Sequence, residues 1–417
     1  MSHRRPSFSS QTIRALKIAG LTVLGAQAAA LVGVHIVDKE RVPHVAGGFP
    51  TFPPLDTRVE GTEVRTYTEG TSLYEDMLEA ITSAKDYIFF ESYIWRADAW
   101  GKRFKSALLS AAKRGVDVHI VYDGFAVLNQ DPFFYVFPKT PHLYIRRFPE
   151  IRSGMFTMNL RKTGRDHRKI LVVDDKVAFV GGYNIGDPFA LEWRDTHVRV
   201  TGDAVSELKY GFIDFWNHFK RHGQPSIART RAPRWDSEVS LAFNQPSRLL
   251  YPVRGLYIDA IDRARSSIRI TSAYFIPDRE IFEALVHAAR RGVRVQILIP
   301  EYSNHILADW VARPYHGPLL KEGVEIWLYE DAMIHSKTMT IDGAWSTVGT
   351  ANIDRLSLQG NYEVNVQFRS NKFAQTMDKI FELDLTNARR LSFEEWEERS
   401  LLTKVLERLL HPFEFLV

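Results

Sequence analysis

The chain carries one short reactive phrase twice. His167-Arg168-Lys169 is followed by Asp174, and His335-Ser336-Lys337 is followed by Asp342. In both, Lys stands two residues after His and Asp five after Lys (174 − 169; 342 − 337), and each phrase leads into an apolar run. A Gly-x-x-Asn follows each, Gly181 to Asn184 and Gly349 to Asn352, and each His-to-Asn distance is 17 (184 − 167; 352 − 335). A carboxylate closes each copy 28 residues after the histidine, Asp195 in one and Glu363 in the other (195 − 167; 363 − 335). A lone His-x-Lys is a surface pair in most proteins; the matched distances make this one specific.

A strand shows residues i and i+2 on one face. A phrase at a strand start therefore points each His and its Lys into one site. Two imidazoles opposed by two ammonium groups suit a phosphodiester. One imidazole can attack phosphorus and hold a covalent phospho-intermediate. The other can protonate the leaving alcohol and then deprotonate the incoming one, because imidazole titrates near neutral pH. Lys169 and Lys337, with Asn184 and Asn352 as phosphate-binding amides, can hold the non-bridging oxygens as charge redistributes. Asp195 and Glu363 are the expected orienters, each accepting from one imidazole nitrogen and fixing its tautomer; spacing does not say which carboxylate serves which histidine. Asp174 and Asp342 complete the catalytic phrase, but beside Asp175 and Gly343 they read as turn residues between two strands, with a structural role. A zinc site is not expected, since Lys is a poor neighbour for a metal and no Cys is present. Neither a metal nor a cofactor is needed by this chemistry.

The elements around the phrase repeat as well. Ser72 to Ala84 has helical spacing, Tyr87 to Ile94 reads as a strand, Gly101 to Arg114 is helical again and stops at Gly115, and Val116 to Tyr122 alternates as a strand. Helices alternating with buried strands predict an α/β layered fold. After residue 250 the order recurs. Ala80-Ile81 matches Ala260-Ile261, and Asp98 matches Asp278, at an offset of 180 (278 − 98). Arg114-Gly115-Val116 matches Arg291-Gly292-Val293 at 177 (291 − 114), and the reactive phrase matches at 168 (335 − 167). A falling offset over so long a period predicts a duplicated domain with loop deletions, not a solenoid.

The 417 residues, 45% of them hydrophobic, are ample for a large core and predict two or three domain-sized units. The absence of cysteine excludes disulfides and thiolate chemistry. A net charge of +4 fits a partner with phosphate groups, lipid or nucleic acid, without choosing between them. Residues 1–17 are basic, with Arg4, Arg5, Arg14 and Lys17 and no acid; residues 18–37 form an apolar run long enough to cross a bilayer. The favoured reading is a membrane anchor; a cleaved signal peptide, with Ala26-Gln27-Ala28 as its cleavage signal, and a helix of the soluble body compete. An anchor with those preceding cations leaves the N-terminus in the cytoplasm and, in a bacterium, the catalytic part in the periplasm at the inner membrane. Residues 38–59 read as a linker, 60–235 and 236–390 as the two repeated domains, and 391–417 as a C-terminal amphipathic helix. The stretch 132–162 interleaves Phe133, Phe134, Tyr135, Phe137, Tyr144, Phe148, Met155 and Phe156 with Arg146, Arg147, Arg152, Arg161 and Lys162. It suits a membrane interface or a phosphate-lined groove as well as ordinary loop packing. The C-terminal helix packs on the body or lies in the membrane interface.

The duplicated His-x-Lys-x-x-x-x-Asp with its Gly-x-x-Asn resembles the phospholipase D superfamily over about residues 60 to 417, by the extent of the motif framework. Within it the chain is most similar to bacterial cardiolipin synthases. Further phrases carry that likeness: Glu91-Ser92-Tyr93-Ile94-Trp95, Arg165-Asp166-His167-Arg168-Lys169, Gly181-Gly182-Tyr183-Asn184-Ile185-Gly186, Trp193-Arg194-Asp195-Thr196-His197-Val198-Arg199, Tyr274-Phe275-Ile276-Pro277-Asp278, Gly349-Thr350-Ala351-Asn352-Ile353-Asp354, and the tail with Trp396, Arg399 and Leu410-His411-Pro412. The resemblance implies two phospholipase D-like α/β domains, each a mixed sheet flanked by helices, sharing one active site at their interface. It implies transfer of a phosphatidyl group through phosphohistidine, typically from phosphatidylglycerol to a second phosphatidylglycerol with release of glycerol. It also implies His167 as nucleophile and His335 as acid and base. Thr350 departs from the serine often found there, and one apolar N-terminal segment stands where some synthases have two. The expected partners are phospholipid and membrane, not nucleic acid. A phospholipase using water as acceptor is the nearest rival; a nuclease of the same superfamily and a membrane-bound binding protein with a dead site are further alternatives.

Overall fold

A computed structural model of the chain describes residues 48–149, 164–230 and 236–416, with residues 25, 27, 29, 30 and 32–34 of the N-terminal segment. The basic segment 1–17, residues 38–47 of the linker and residues 150–162 of the aromatic loop fall outside the described residues.

The first half runs β1 (Leu55–Val59), β2 (Thr62–Tyr67), α1 (Gly70–Ser83), β3 (Tyr87–Ser92), α2 (Ala99–Lys113), β4 (Asp117–Asp123), β5 (Leu143–Phe148), β6 (Ile170–Val173), β7 (Val177–Gly181), α3 (Asp187–Leu191), β8 (Trp193–Arg194), β9 (His197–Thr201) and α4 (Ala204–Phe219). The second half runs β10 (Val239–Phe243), α5 (Pro252–Arg263), β11 (Ser267–Ser272), α6 (Arg279–Arg290), β12 (Arg294–Pro300), α7 (Ile306–Lys321), β13 (Glu325–Tyr329), β14 (Met333–Ile334), β15 (Lys337–Ile341), β16 (Trp345–Gly349), α8 (Arg355–Gln359), β17 (Val364–Arg369), α9 (Asn371–Leu385), β18 (Ala388–Leu391), α10 (Phe393–Glu397) and α11 (Leu401–Leu410).

The sheets are ordered β1-β2-β9-β7-β6-β3-β4-β5 and β10-β17-β16-β15-β11-β12-β13-β18. Drop β1 from the first and β18 from the second, and the two orders superpose strand for strand, which is the duplication read in the sequence. Both sheets are mixed. β3, β4 and β5 run parallel while β6 is antiparallel to β3; β11, β12 and β13 run parallel while β15 is antiparallel to β11. Parallel neighbours need crossover connections, which α2 and α6 supply.

Helix starts obey local chemistry. Asp98 caps α2 by accepting from the Gly101 N–H, and Asp278 caps α6 by accepting from the Ile281 N–H. Gly115 follows α2 with φ +95° and Gly292 follows α6 with φ +86°, the left-handed region that ends a helix without a Cβ clash. The outer face of the first sheet buries Leu73, Ile81, Phe104 and Leu108 of α1 and α2; Ile261, Ile281 and Leu285 of α5 and α6 do the same on the second. A central core joins the halves, with Val180, Val198, Phe212 and Trp216 from one and Val348, Val364, Val366 and Phe373 from the other. α4 packs on β10 and α9 packs on β1, so each half lends a helix to the other's sheet edge.

Two boundaries move. The expected linker already contains β1, which hydrogen-bonds to β2 throughout its length and belongs to the first sheet. The single C-terminal helix is two, because Ser400 restarts the chain as a cap that accepts from the Thr403 N–H. Of the apolar run 18–37, the described residues are helical, and Ala30 and Val34 pack against Ile306 and Leu410. No helix among the described residues is long and apolar enough to cross a membrane.

Candidate active site

His167 and His335 each sit at the entry of a central strand, β6 and β15, next to the carboxyl ends of β3 and β11. The halves meet there through the backbone. The His167 N–H donates to the Tyr362 carbonyl at 3.0 Å, and the His335 N–H donates to the Arg194 carbonyl at 2.7 Å. Tyr362 immediately precedes Glu363, and Arg194 immediately precedes Asp195. The same register that pins each histidine therefore places the other half's carboxylate beside it. His167 Nδ1 lies 3.0 Å from both Glu363 oxygens, and His335 Nδ1 lies 2.6 Å from Asp195 Oδ2. The open question of pairing thus resolves as crossed: each half orients the histidine of the other. With Nδ1 engaged as donor, Nε2 is the nitrogen left to act on a ligand.

Lys169 donates to the His167 carbonyl at 2.7 Å, and Lys337 donates to the His335 carbonyl. Each lysine folds back over its own histidine, so two imidazoles and two amines converge. Rings wall them in: Tyr93 meets the His167 ring edge-on at 4.7 Å, and Trp193 and Tyr274 meet His335 at 4.9 and 6.4 Å.

Burial sets the charges. His167 and His335 are held well below the ordinary imidazole range, first by desolvation and then by the two lysines. Desolvation also lowers Lys169 to about 7 and Lys337 to about 8, and raises Asp195 to about 6 and Glu363 to about 8. Burial thus leaves neutral imidazoles between weakly held protons. A phosphodiester supplies the missing negative charge. One unit charge at 4 Å is worth about 4 kcal/mol at an effective dielectric near 20, about three pKa units.

The two histidines are not equivalent. Thr350 donates its hydroxyl to Glu363, and Asn361 donates to it as well. Gly182 stands where the first half would carry that hydroxyl (350 − 168). Any side chain there would collide with Asp195, whose Oδ1 lies 2.0 Å from the position of a Cβ; Asp195 takes the Thr196 N–H instead, at 2.7 Å. Behind His167, Arg168 is buried against Glu91 at 2.5 Å, with Asp166 3.5 Å away. Behind His335, Ser336 replaces that arginine and meets Thr196 Oγ1 at 3.0 Å and Arg194 at 3.3 Å. Arg194 in turn is held by Asp384 of α9 through bonds of 2.7 and 2.8 Å.

The remaining expected residues divide. Asp174 accepts from the backbone N–H groups of Lys85, Asp86 and Tyr87 at 2.7–2.9 Å, and Asp342 from those of Arg265, Ser266 and Ser267 at 2.7–2.9 Å. Both adopt φ +53° in a strand-to-strand turn. They are committed to the backbone and stand apart from the histidines and lysines, which corrects their grouping with the catalytic side chains. Asn184 accepts from the Ile94 N–H at 3.0 Å, which leaves its amide nitrogen as the end that can donate to a ligand. Asn352 donates to Asp354, so its amide is partly spent within the protein. Sequence reasoning missed the roles of Thr350, Arg194 and Asp384. In the sequence Thr350 stands out only as a departure from serine, and Asp384 lies in a helix with no motif to flag it.

Residues 77–216 and 257–385 match the family described as cardiolipin synthase, PLD-like domain. The chain is 33% identical over 368 residues to the major cardiolipin synthase of Bacillus subtilis (strain 168), covering 85% of this chain and 76% of that one. It is 33% identical over 365 residues to cardiolipin synthase 1 of Staphylococcus aureus (strain COL), covering 84% and 73%. Among solved structures it resembles the phosphatidylserine synthase of Haemophilus influenzae Rd KW20, with a TM-score of 0.65 at 13% identity, over 87% of this chain and 95% of that one. That likeness is one of fold.

Proposed function

The chain belongs to the cardiolipin synthase family of phospholipase D-like proteins, and from that premise we propose that it is a phosphatidyltransferase joining two phosphatidylglycerol molecules into cardiolipin and glycerol. The crossed histidine–carboxylate pairs carry the reading, because they give two imidazoles with Nδ1 engaged and Nε2 available in one cationic pocket.

In the first step His167 Nε2 forms a bond to phosphorus as the bond from phosphorus to the glycerol headgroup oxygen breaks. His335 takes up a proton at Nε2 when the charge of the phosphodiester arrives beside it; it gives that proton to the leaving oxygen, and glycerol departs. Glu363 accepts from His167 Nδ1 and stabilises the charge that develops on the ring. In the second step the hydroxyl of the acceptor lipid gives its proton to His335 as its oxygen bonds to phosphorus and the nitrogen–phosphorus bond breaks. His335 ends protonated, ready for the next donor. Lys169 and Lys337 hold the non-bridging oxygens throughout.

Water in place of the acceptor lipid would yield phosphatidic acid. The decisive experiment incubates the purified protein with labelled phosphatidylglycerol in mixed micelles. Cardiolipin with glycerol is expected; phosphatidic acid alone means a hydrolase, and no lipid turnover with cleavage of DNA means a nuclease. The apolar run 18–37 behind its basic segment supports attachment to a bacterial inner membrane with the catalytic body in the periplasm. Protease added to intact spheroplasts should then digest the body.

A further inference from the structure

α11 packs Leu406, Leu409 and Leu410 on the body, as a surface helix should, but departs from that pattern in two ways. It buries Glu407, which pairs with Arg313 at 2.7 Å and Arg399 at 3.1 Å. It exposes Leu401, Leu402 and Val405 at 82, 68 and 50%. Three aliphatic side chains left in water on one helix, while a carboxylate is taken inside, call for a covering apolar phase. The connection after β4 does the same in the first half, where Phe133, Leu128 and Phe125 are 81, 58 and 50% exposed.

The duplication relates these two places. The connection from β4 to β5 is the counterpart of the one from β12 to β13, and the latter contains α7, on which α11 packs. Both connections leave the carboxyl ends of their strands, where the reactive histidines sit. Arg165, two residues before His167, stacks over Phe125 at 4.4 Å. His305, immediately before α7, packs on Tyr274 at 5.6 Å, and Tyr274 packs on His335. The two apolar groups thus lie on or against corresponding connections, both of which leave the sheets at the end that holds the mouth of the site.

We propose that they are bilayer contacts that seat this mouth on an anionic lipid surface. The proposal rests on the lipid-substrate reading above and adds the face by which substrate is reached. A bilayer is favoured over a protein partner by what adjoins α11. Gln27 of the N-terminal apolar run donates to the Leu409 carbonyl at 3.4 Å, and Ala30 and Val34 pack beside Leu410, so the chain's most apolar stretch packs on the helix that carries the patch. The exposed Arg408 lies on the same helix, placed for a lipid phosphate.

The chain has no cysteine, so Leu402→Cys and Phe133→Cys each accept a single environment-sensitive label on the full-length protein. Arg263→Cys, 76% exposed just before β11 and hence at the opposite end of its strands from the site, is the control. On vesicles of phosphatidylglycerol and phosphatidylcholine, labels at 402 and 133 should blue-shift and be quenched by lipid-borne quenchers, and the label at 263 should do neither. Labels at 402 and 133 that stay water-exposed on vesicles overturn the proposal. So does a label at 402 that is already shielded without lipid, which would mean that another segment of the chain covers it. Leu402→Glu with Phe133→Glu should lower turnover on vesicles about tenfold or more while sparing a short-chain phosphatidylglycerol dispersed as monomers; equal loss on both substrates contradicts it. If the unsubstituted protein turns over neither lipid while the labels insert, docking stands and the phosphatidyl-transfer reading fails.

Discussion

Glu363 and Asp195 differ by one methylene, and the structure uses the difference. Glu363 reaches His167 with both oxygens and also takes the Thr350 hydroxyl, whereas Asp195 reaches His335 with one oxygen and takes a backbone N–H with the other. Glu363→Gln should therefore slow formation of the phosphoenzyme, by about 10²–10⁴-fold on the scale of orienting carboxylates, as seen in the burst phase. Asp195→Asn should instead slow the proton transfers assigned to His335, and fast-leaving headgroups should rescue it more than they rescue Glu363→Gln. Equal behaviour of the two variants would contradict the division of labour. The lysines set the pH response. Their pKa values are lowered, to about 7 and about 8, so the protonated form that holds phosphate is lost as pH rises through that range. KM for phosphatidylglycerol should climb between pH 7 and pH 9; a flat KM over that interval would remove the lysines from phosphate binding.

Asp174 and Asp342 show what the turns contribute. Each carboxylate gathers three backbone N–H groups at the junction of two strands and the preceding helix–strand loop. Asp342→Ala leaves those donors short of a partner and should cost about 1–3 kcal/mol, lowering Tm by several degrees while kcat of the folded protein at 20 °C stays within about twofold, since no reacting atom is touched. Loss of kcat without loss of Tm would return Asp342 to the catalytic group. This much was legible in the sequence, because an Asp before Asp or Gly between two apolar runs is turn chemistry. Helix and strand identities were legible for the same local reason, as α1, β3, α2 and β4 show. β1 was not: a five-residue edge strand after a Pro-rich stretch owes its state to pairing with β2, which no local pattern displays. Nor was the break between α10 and α11, where a continuous apolar periodicity hid the cap at Ser400.

The assembly of the halves explains why two matched phrases make one site. Spacing alone gave eight polar side chains in two equal sets, and it could not say that the sets are interleaved, because crossing depends on the register between Tyr362 and His167 and between Arg194 and His335, contacts 195 and 141 residues apart in sequence (362 − 167; 335 − 194). Arg194 and Asp384 fasten that register from opposite halves, both fully buried. Asp384→Ala strands the guanidinium and should cost about 3–5 kcal/mol; in denaturant the protein should still unfold in one transition, and two separate transitions would contradict a joint core. The most direct test of the account uses phosphatidylglycerol labelled at phosphorus. Held for minutes to hours with His335→Ala, which lacks both the acid for the leaving glycerol and the base for the acceptor, and then quenched in alkali, it should slowly leave label on the protein, mapped to the peptide containing His167 and absent when Glu363→Gln or His167→Ala is added. Turnover that persists in His167→Ala, or label recovered on any other residue, would contradict the account.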